Sequence, residues 1–247
     1  MNHLIPLNFL LDIIFPKLCI NCQREGKYIC NECFNRITYN KSSNCYICGN
    51  RTNNSQTCPI CQQKTSLKGV VVAGDWDDPL LRQMIYEYKY RFIKELSKNL
   101  GSFIVNYIIN IHKPLLNDDE HDKTLINSNT IFVPVPLHSK RQHWRGFNQS
   151  ELLANEVSRH FKTPALNLIE RTRNTLPQAE IKKQSERKTN TRKAFSLSSS
   201  ADNNNLRGKT FIIVDDVCTT GSTLGECAKT LQPLKPKEIW GLVLARG

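Results

Sequence analysis

The stretch FIIVDDVCTTGSTL at residues 211–224 sets two adjacent acids between an apolar run and a row of hydroxyls broken by one glycine. Thr219, Thr220, Ser222 and Thr223 supply hydroxyl donors, and Gly221 lets backbone amides wrap closely around a phosphate. Asp215 and Asp216 would repel that phosphate, so they must face something else: the hydroxyls of a sugar, or a divalent metal held between acids and phosphates. The ligand that suits both halves is a sugar phosphate with a metal. A Walker loop is excluded, since it ends in Gly-Lys-Ser/Thr and this stretch has no lysine. The plainer alternative is a capped helix after a core strand, with both acids solvated.

The cysteines carry a second chemistry. Eight of the ten lie before residue 62, in four C-x-x-C pairs: Cys19/Cys22, Cys30/Cys33, Cys45/Cys48 and Cys58/Cys61. Two thiolates separated by two residues bend around one tetrahedral ion, and two such pairs close the site to water, which points to structural zinc. A disulfide framework and an iron–sulfur cluster are the competing readings. The simplest partition puts Cys19, Cys22, Cys30 and Cys33 around one ion and Cys45, Cys48, Cys58 and Cys61 around another, with crossed pairing left open. So few apolar residues lie here that metal must supply most of the folding free energy. We therefore expect a small metal-stapled module over residues 1–66 and a larger α/β domain over 67–247. Cys218 and Cys227 have no such spacing.

Elements must bring these groups to one place. Phe211 to Val214 form a short apolar run that fits a strand buried on both faces, and Thr223 to Leu231 carry apolar or small residues at helical spacing. The hydroxyl turn thus sits where a strand hands over to a helix. A second buried strand, Ile131 to Val135, breaks at Pro136 into a basic loop holding Leu137, His138, Ser139, Lys140 and Arg141, with His143 and Arg145 beyond. The helix that follows begins near Asn148 and turns Leu152, Leu153 and Val157 inward. Two strands of one sheet then deliver two loops to one rim, where open α/β sheets bind ligands. The pattern predicts a mainly parallel sheet flanked by helices.

Charge agrees with an anionic ligand. The chain of 247 residues carries a formal net charge of +12, and residues 131–205 hold 13 Lys or Arg against 6 Asp or Glu. A regional excess of this kind suits pyrophosphate or nucleic acid, although a solvated basic surface would look the same. The apolar LIPLNFLLDIIFP segment reads as a short docking helix. It is shorter than the ~20 residues a membrane crossing needs, and it lacks the basic cluster and cleavage site of a secretory signal. A cytoplasmic protein without a transmembrane segment is expected.

Together these motifs resemble a known family. VDDVCTTGST is similar to the phosphoribosyl pyrophosphate motif of type I phosphoribosyltransferases. VPVPLHSKRQHWRGFNQSELLA, with RTRNTLPQAEIKKQSERKTNTRKAF, resembles the ComF family, and the cysteine-rich start resembles that family's double zinc ribbon. The resemblance implies a type I phosphoribosyltransferase-like domain in which Thr219 to Thr223 hold the 5-phosphate. Asp215 and Asp216 would be the catalytic acids on the ribose 2- and 3-hydroxyls, directly or through Mg2+. Leu137 to Arg141 and Arg145 would face pyrophosphate, and a hood with Gln178, Arg187 and Asn190 would close over the site. Lys89 matches a lysine of the family pattern. Trp144 is the aromatic best placed to touch a base, whereas Phe147 and Phe195 are expected in the core.

The resemblance also implies competence: DNA uptake, single-stranded DNA and DNA-uptake proteins as partners. It leaves two functions open: a magnesium-dependent phosphoribosyltransferase, or a non-catalytic protein that senses the same ligand, or a related nucleotide, while gripping single-stranded DNA. No segment stands out as a nucleobase-specificity loop. The cysteine spacing makes the first prediction: elemental analysis of the purified, chelator-free chain finds two zinc ions per chain, and one ion or none would overturn the partition.

Overall fold

The computed structural model describes residues 16–111, 125–173, 194–199, 201 and 206–247. The N-terminal docking-helix expectation and the hood residues Gln178, Arg187 and Asn190 lie outside that set. At the centre is a four-stranded parallel sheet of β1 (Gly69–Val72), β2 (Thr130–Pro134), β5 (Thr210–Cys218) and β6 (Glu238–Arg246), in the order β1-β6-β5-β2. A small antiparallel pair, β3 (Ile169–Arg171) and β4 (Phe195–Leu197), stands apart from it. Parallel strands are covered on both faces, which is why β2 and the first half of β5 read as unbroken apolar runs.

Helices α3 (Pro79–Tyr90), α4 (Leu96–Asn110) and α6 (Gln149–Phe161) pack on one face. Their inward residues, Met84 and Tyr88, Leu100 and Ile104, Leu153 and Val157, meet Ile212, Val214 and Leu242 of the sheet. Helix α7 (Ser222–Leu231) covers the other face with the β3–β4 pair, so that Leu224, Cys227 and Leu231 bury Ile213 and Val243. Starts and stops follow local chemistry. Asp78 caps α3 by accepting from the amides of Leu80 and Leu81, both at 2.9 Å, and Pro79 takes the first turn.

The ribbon, with its one-turn helices α1 (Asn31–Phe34) and α2 (Pro59–Gln62), is joined to both cores. Cys19, Cys30, Cys33, Ile29 and Ile37 pack with α3 and α4, and Tyr39 stacks on Phe103 at 4.5 Å. Tyr46 and Leu67 belong to the core under α7. The few apolar residues of the ribbon thus complete the larger domain's cores from two sides, where the sequence pointed to a module held mostly by metal. Contact extends to the backbone. Gln56 bridges Gly69, the Val70 amide donates to the Ser55 carbonyl at 3.1 Å, and the Thr57 amide donates to the Lys68 carbonyl at 2.8 Å.

That approach leaves no room for a side chain on β1. A Cβ on Gly69 would collide with the Ser55 carbonyl and lie 2.5 Å from the Trp240 ring and 2.9 Å from Gln56 Cα. Two of those neighbours are backbone and cannot swing aside. Gly69→Val should therefore cost ~1–3 kcal/mol by overpacking. Thermal denaturation would show this as a fall of ~2–4 °C per kcal/mol for a chain of this size; an unchanged midpoint would contradict the packing.

Candidate functional site

Strand β5 is longer than the apolar run that announced it. Pairing with β6 continues through Asp215↔Val243, Val217↔Ala245 and Cys218↔Arg246, so both acids lie within the strand and the turn begins only at Thr219. Ladder bonds on the β6 side persist whatever the side-chain polarity, which is why the strand outruns its hydrophobic signal. Gly221, at φ 74°, then opens α7 without any side-chain cap. Thr220 and Ser222 hydroxyls meet at 2.6 Å across it.

The basic loop is also shorter than expected. Ser139–Arg145 form helix α5: the His138 ring accepts from the Lys140 amide at 3.2 Å to start it, and Gly146 at φ 76° ends it. Val135, expected in the strand, lies just past its end, and only Val135 to His138 remain irregular before the helix. Asn148 then caps α6 by accepting from the Ser150 amide at 3.1 Å while donating to the Val135 carbonyl at 3.0 Å, which ties the helix start to the end of β2. The cap places the Ser150 hydroxyl 2.9 Å from Asp215 Oδ1, to which it donates. Lys89, in the last turn of α3, reaches Asp216 at 2.8 Å, and this ion pair is largely buried.

These elements enclose a cavity of about 560 Å³. Asp215, Asp216, Thr219 and Thr223 form one wall; Leu137, Arg141, Arg145 and Arg171 form another. Acids and guanidinium groups therefore face one space, which is the arrangement a sugar carrying phosphates requires. Burial, and then the charge of Asp216, push the Asp215 carboxyl up to about 7, against the pull of Lys89 and of the Ser150 hydroxyl. Burial, and then Arg141, hold the Arg171 guanidinium below its ordinary value, with Cys227 and Asp215 acting in the other direction. Arg145 Nη1 donates to Gln149 Oε1 at 3.2 Å, yet Arg145 Nε and the Gln149 amide nitrogen are buried without a hydrogen-bond acceptor. Buried donors in that state call for an acceptor from outside the chain.

Other expected residues are placed elsewhere. His138 caps α5, and Ser139 and Lys140 are exposed on that helix, outside the cavity wall. Thr220, Gly221 and Ser222 line a second cavity of about 380 Å³ behind the turn, against Tyr46, Ile47, Lys64 and Thr65 of the ribbon segment. Phe147 and Phe195 are buried, and Trp144 is 68% exposed. The cavity also includes residues that sequence reasoning missed: Arg171, Gln149, Ser150, Tyr86 and Tyr90. Arg171 opens the basic RTR segment, and Gln149 and Ser150 lie in the FNQSELLA part of the motif that carried the resemblance.

The ribbon thiols form two groups, Cys19/Cys22/Cys30/Cys33 and Cys45/Cys48/Cys58/Cys61, each with its sulfurs within 4.8 Å of one another. The pairing is uncrossed. Cys22 and Cys30 sulfurs lie 3.7 Å apart, as do those of Cys48 and Cys58. A zinc–sulfur bond of ~2.3 Å gives a tetrahedron edge near ~3.8 Å, so both groups fit zinc. Burial raises Cys19 and Cys45, but backbone amides more than offset it, those of Cys22 and Cys30 for the first and of Cys48 and Cys58 for the second, and both thiols fall to about 6. Two four-thiol groups of this kind are consistent with two structural zinc ions.

Residues 10–63 match the double zinc ribbon domain and residues 148–247 the phosphoribosyl transferase domain. Competence protein F of Haemophilus influenzae is 31% identical over 241 residues, which covers 95% of this chain and 93% of that protein. The chain belongs to the ComF family. Other relatives of this ComF chain are DNA utilization protein YhgH of Escherichia coli, 31% identical over 225 residues and covering 87% of this chain and 91% of that protein, and competence protein ComFC of Bacillus subtilis, 29% identical over 196 residues and covering 76% and 77%.

The raised Asp215 carboxyl has a measurable sign. Folding disfavours its ionised form, so the native state loses stability as pH rises from the ordinary carboxyl value of 3.8 through about 7. Asp215→Asn keeps an acceptor for Ser150 and removes the charge. The variant should melt several degrees above the parent at pH 8, with the gain shrinking steadily as pH falls toward 3.8; a gain independent of pH would refute the assignment.

Proposed function

We propose that this ComF-family chain binds phosphoribosyl pyrophosphate in the 560 Å³ cavity and transfers or removes a phosphoribosyl group there. One observation carries this: Asp215 and Asp216 face Arg141, Arg145 and Arg171 across a single space. In this reading residues 219–223 hold the 5-phosphate, Asp215 takes the ribose hydroxyls, and Asp216 stays anchored by Lys89. The guanidinium groups and the unpaired donors of Arg145 and Gln149 receive pyrophosphate. As the leaving group departs, positive charge develops on the ribose, and the two carboxylates lie where they would offset it. An acid pair beside a polyphosphate is also a fitting donor set for magnesium, which would spread the charge of the departing pyrophosphate. His138, Ser139 and Lys140 then act at the rim, and Gln178, Arg187 and Asn190 are assigned to a covering hood.

A second reading is favoured by the cavity mouth. Tyr86 is 53% exposed and Tyr90 43%, their rings are 5.0 Å apart, and the Arg145 guanidinium lies 5.9 Å from the Tyr90 ring. Trp144 stands nearby on α5 with its edge against Phe92. Exposed rings among arginines stack bases of any sequence, so a single-stranded DNA could be held while the cavity senses a nucleotide. The competence and DNA utilization proteins among the relatives support a role in DNA uptake for either reading. We place the protein in the cytoplasm, with its ribbon over residues 1–66; no described helix is long and apolar enough to cross a membrane.

Calorimetry with phosphoribosyl pyrophosphate, with and without magnesium, tests the site. Changing Asp215 and Asp216 together to Asn should weaken binding roughly tenfold or more and remove the dependence on magnesium, since a charged contact is worth ~1.5–3 kcal/mol. A double variant that binds as the parent does would place the acids outside the site. Turnover of the parent with a panel of acceptor bases separates the enzyme from the sensor.

A further inference from the structure

The ribbon and the ligand turn are joined through one aromatic ring. Tyr46 lies between Cys45 and Cys48, two thiols of the second tetrad, so its backbone position follows from that metal site. Its side chain leaves the ribbon. It is 4% exposed, sits in the core shared by α7 and the sheet, and meets Thr65 Oγ1 at 2.6 Å through its hydroxyl. The ring lies over Gly221: a Cβ on that glycine would fall 2.6 Å from Tyr46 Cδ2 and nearer still to Cε2. The turn thus has the ligand cavity in front, lined by Thr219 and Thr223, and the ribbon behind.

We propose that Tyr46 is a positioning residue that braces the back of the 219–223 turn, so that metal occupancy of the Cys45/Cys48/Cys58/Cys61 tetrad sets how well the turn is organised for phosphate. The proposal rests on the phosphate role given to that turn. Gly221 is left-handed and opens a helix with no side-chain cap, and a glycine there has a wide choice of backbone conformations. Packing must select one of them, and the ring is what packs on it. Donors ordered in advance bind more tightly because the ordering is not deducted at binding. A ribbon without its metal unfolds, which withdraws the ring. The coupling runs both ways, so phosphate on the turn retains metal in the second tetrad. The first tetrad takes no part, because Cys19, Cys30 and Cys33 pack with α3 and α4 on the other face of the sheet.

The test uses the full zinc-loaded chain as parent, Tyr46→Phe and Tyr46→Leu, each assayed for zinc content. Hydrogen exchange of amides 219–223 reads the brace directly, and calorimetry with ribose 5-phosphate reads its effect. The Phe variant keeps the ring and should match the parent within about twofold in both. The Leu variant, with its zinc retained, should exchange faster in 219–223 with α4 unchanged, and should bind ribose 5-phosphate roughly tenfold more weakly. Should that variant lose metal, the parent supplies the same comparison: chelation that removes the second-tetrad zinc should speed exchange in the turn, and ribose 5-phosphate should slow that removal. Turn exchange unaltered by the Leu substitution or, where that variant lacks metal, by chelation of the parent overturns the proposal. A parent that binds no ribose 5-phosphate overturns the phosphate reading, while the exchange comparison still decides the brace.

Discussion

Two carboxylates on consecutive residues at the end of a buried parallel strand are the constraint around which the rest of the molecule is arranged. Both carboxylates line one cavity, yet the direct contacts that hold them differ. Each is met by a different element. Ser150, fixed by the Asn148 cap at the start of α6, donates to Asp215, and Lys89, at the end of α3, pairs with Asp216. The two helices lie on the same side of the sheet and are tied to each other where the Tyr88 hydroxyl donates to the Gln149 carbonyl at 2.9 Å. Each acid therefore ties one helix end to the ligand cavity.

Much of this was legible in the sequence because it depends on local chemistry. The eight thiols announced two tetrads, and the hydroxyl turn announced a helix start at the end of a strand. Phe147 and Phe195 were assigned to the core and are buried there. Crossed and uncrossed partitions of the thiols were not separable, since spacing within C-x-x-C says nothing about which pairs meet in space. Arg171 was not singled out for a related reason. It sits on a three-residue strand whose partner, β4, follows 24 residues later in the chain, and only that pairing brings it to the cavity. The helical state of Ser139–Arg145 was masked by its charge, which reads as a solvated loop until the cap by His138 is seen.

The ribbon was read as a separate staple, and its role in the fold is larger. It contributes apolar residues to both cores, on opposite faces of one sheet. A metal-closed module is well suited to this, because its own fold does not need those side chains. Asp78 shows how closely the parts are joined: one carboxylate caps α3 and also accepts from the Thr38 amide of the ribbon at 2.7 Å.

Both edges of the central sheet are occupied. On the β2 side, Phe132 is bridged to Ala165, its amide donating to Pro164 and its carbonyl accepting from Leu166. On the β1 side the cover is residues 55–57, between the third and fourth C-x-x-C pairs. Beneath it lies Gly-Val-Val-Val, short, uncharged and β-branched, the type of strand most ready to accept a foreign strand once its amides are bare. A metal held by the second tetrad would thereby guard against aggregation. Metal loss would uncover an adhesive edge in an otherwise native sheet, and the insoluble material formed would be native-like chains joined strand to strand.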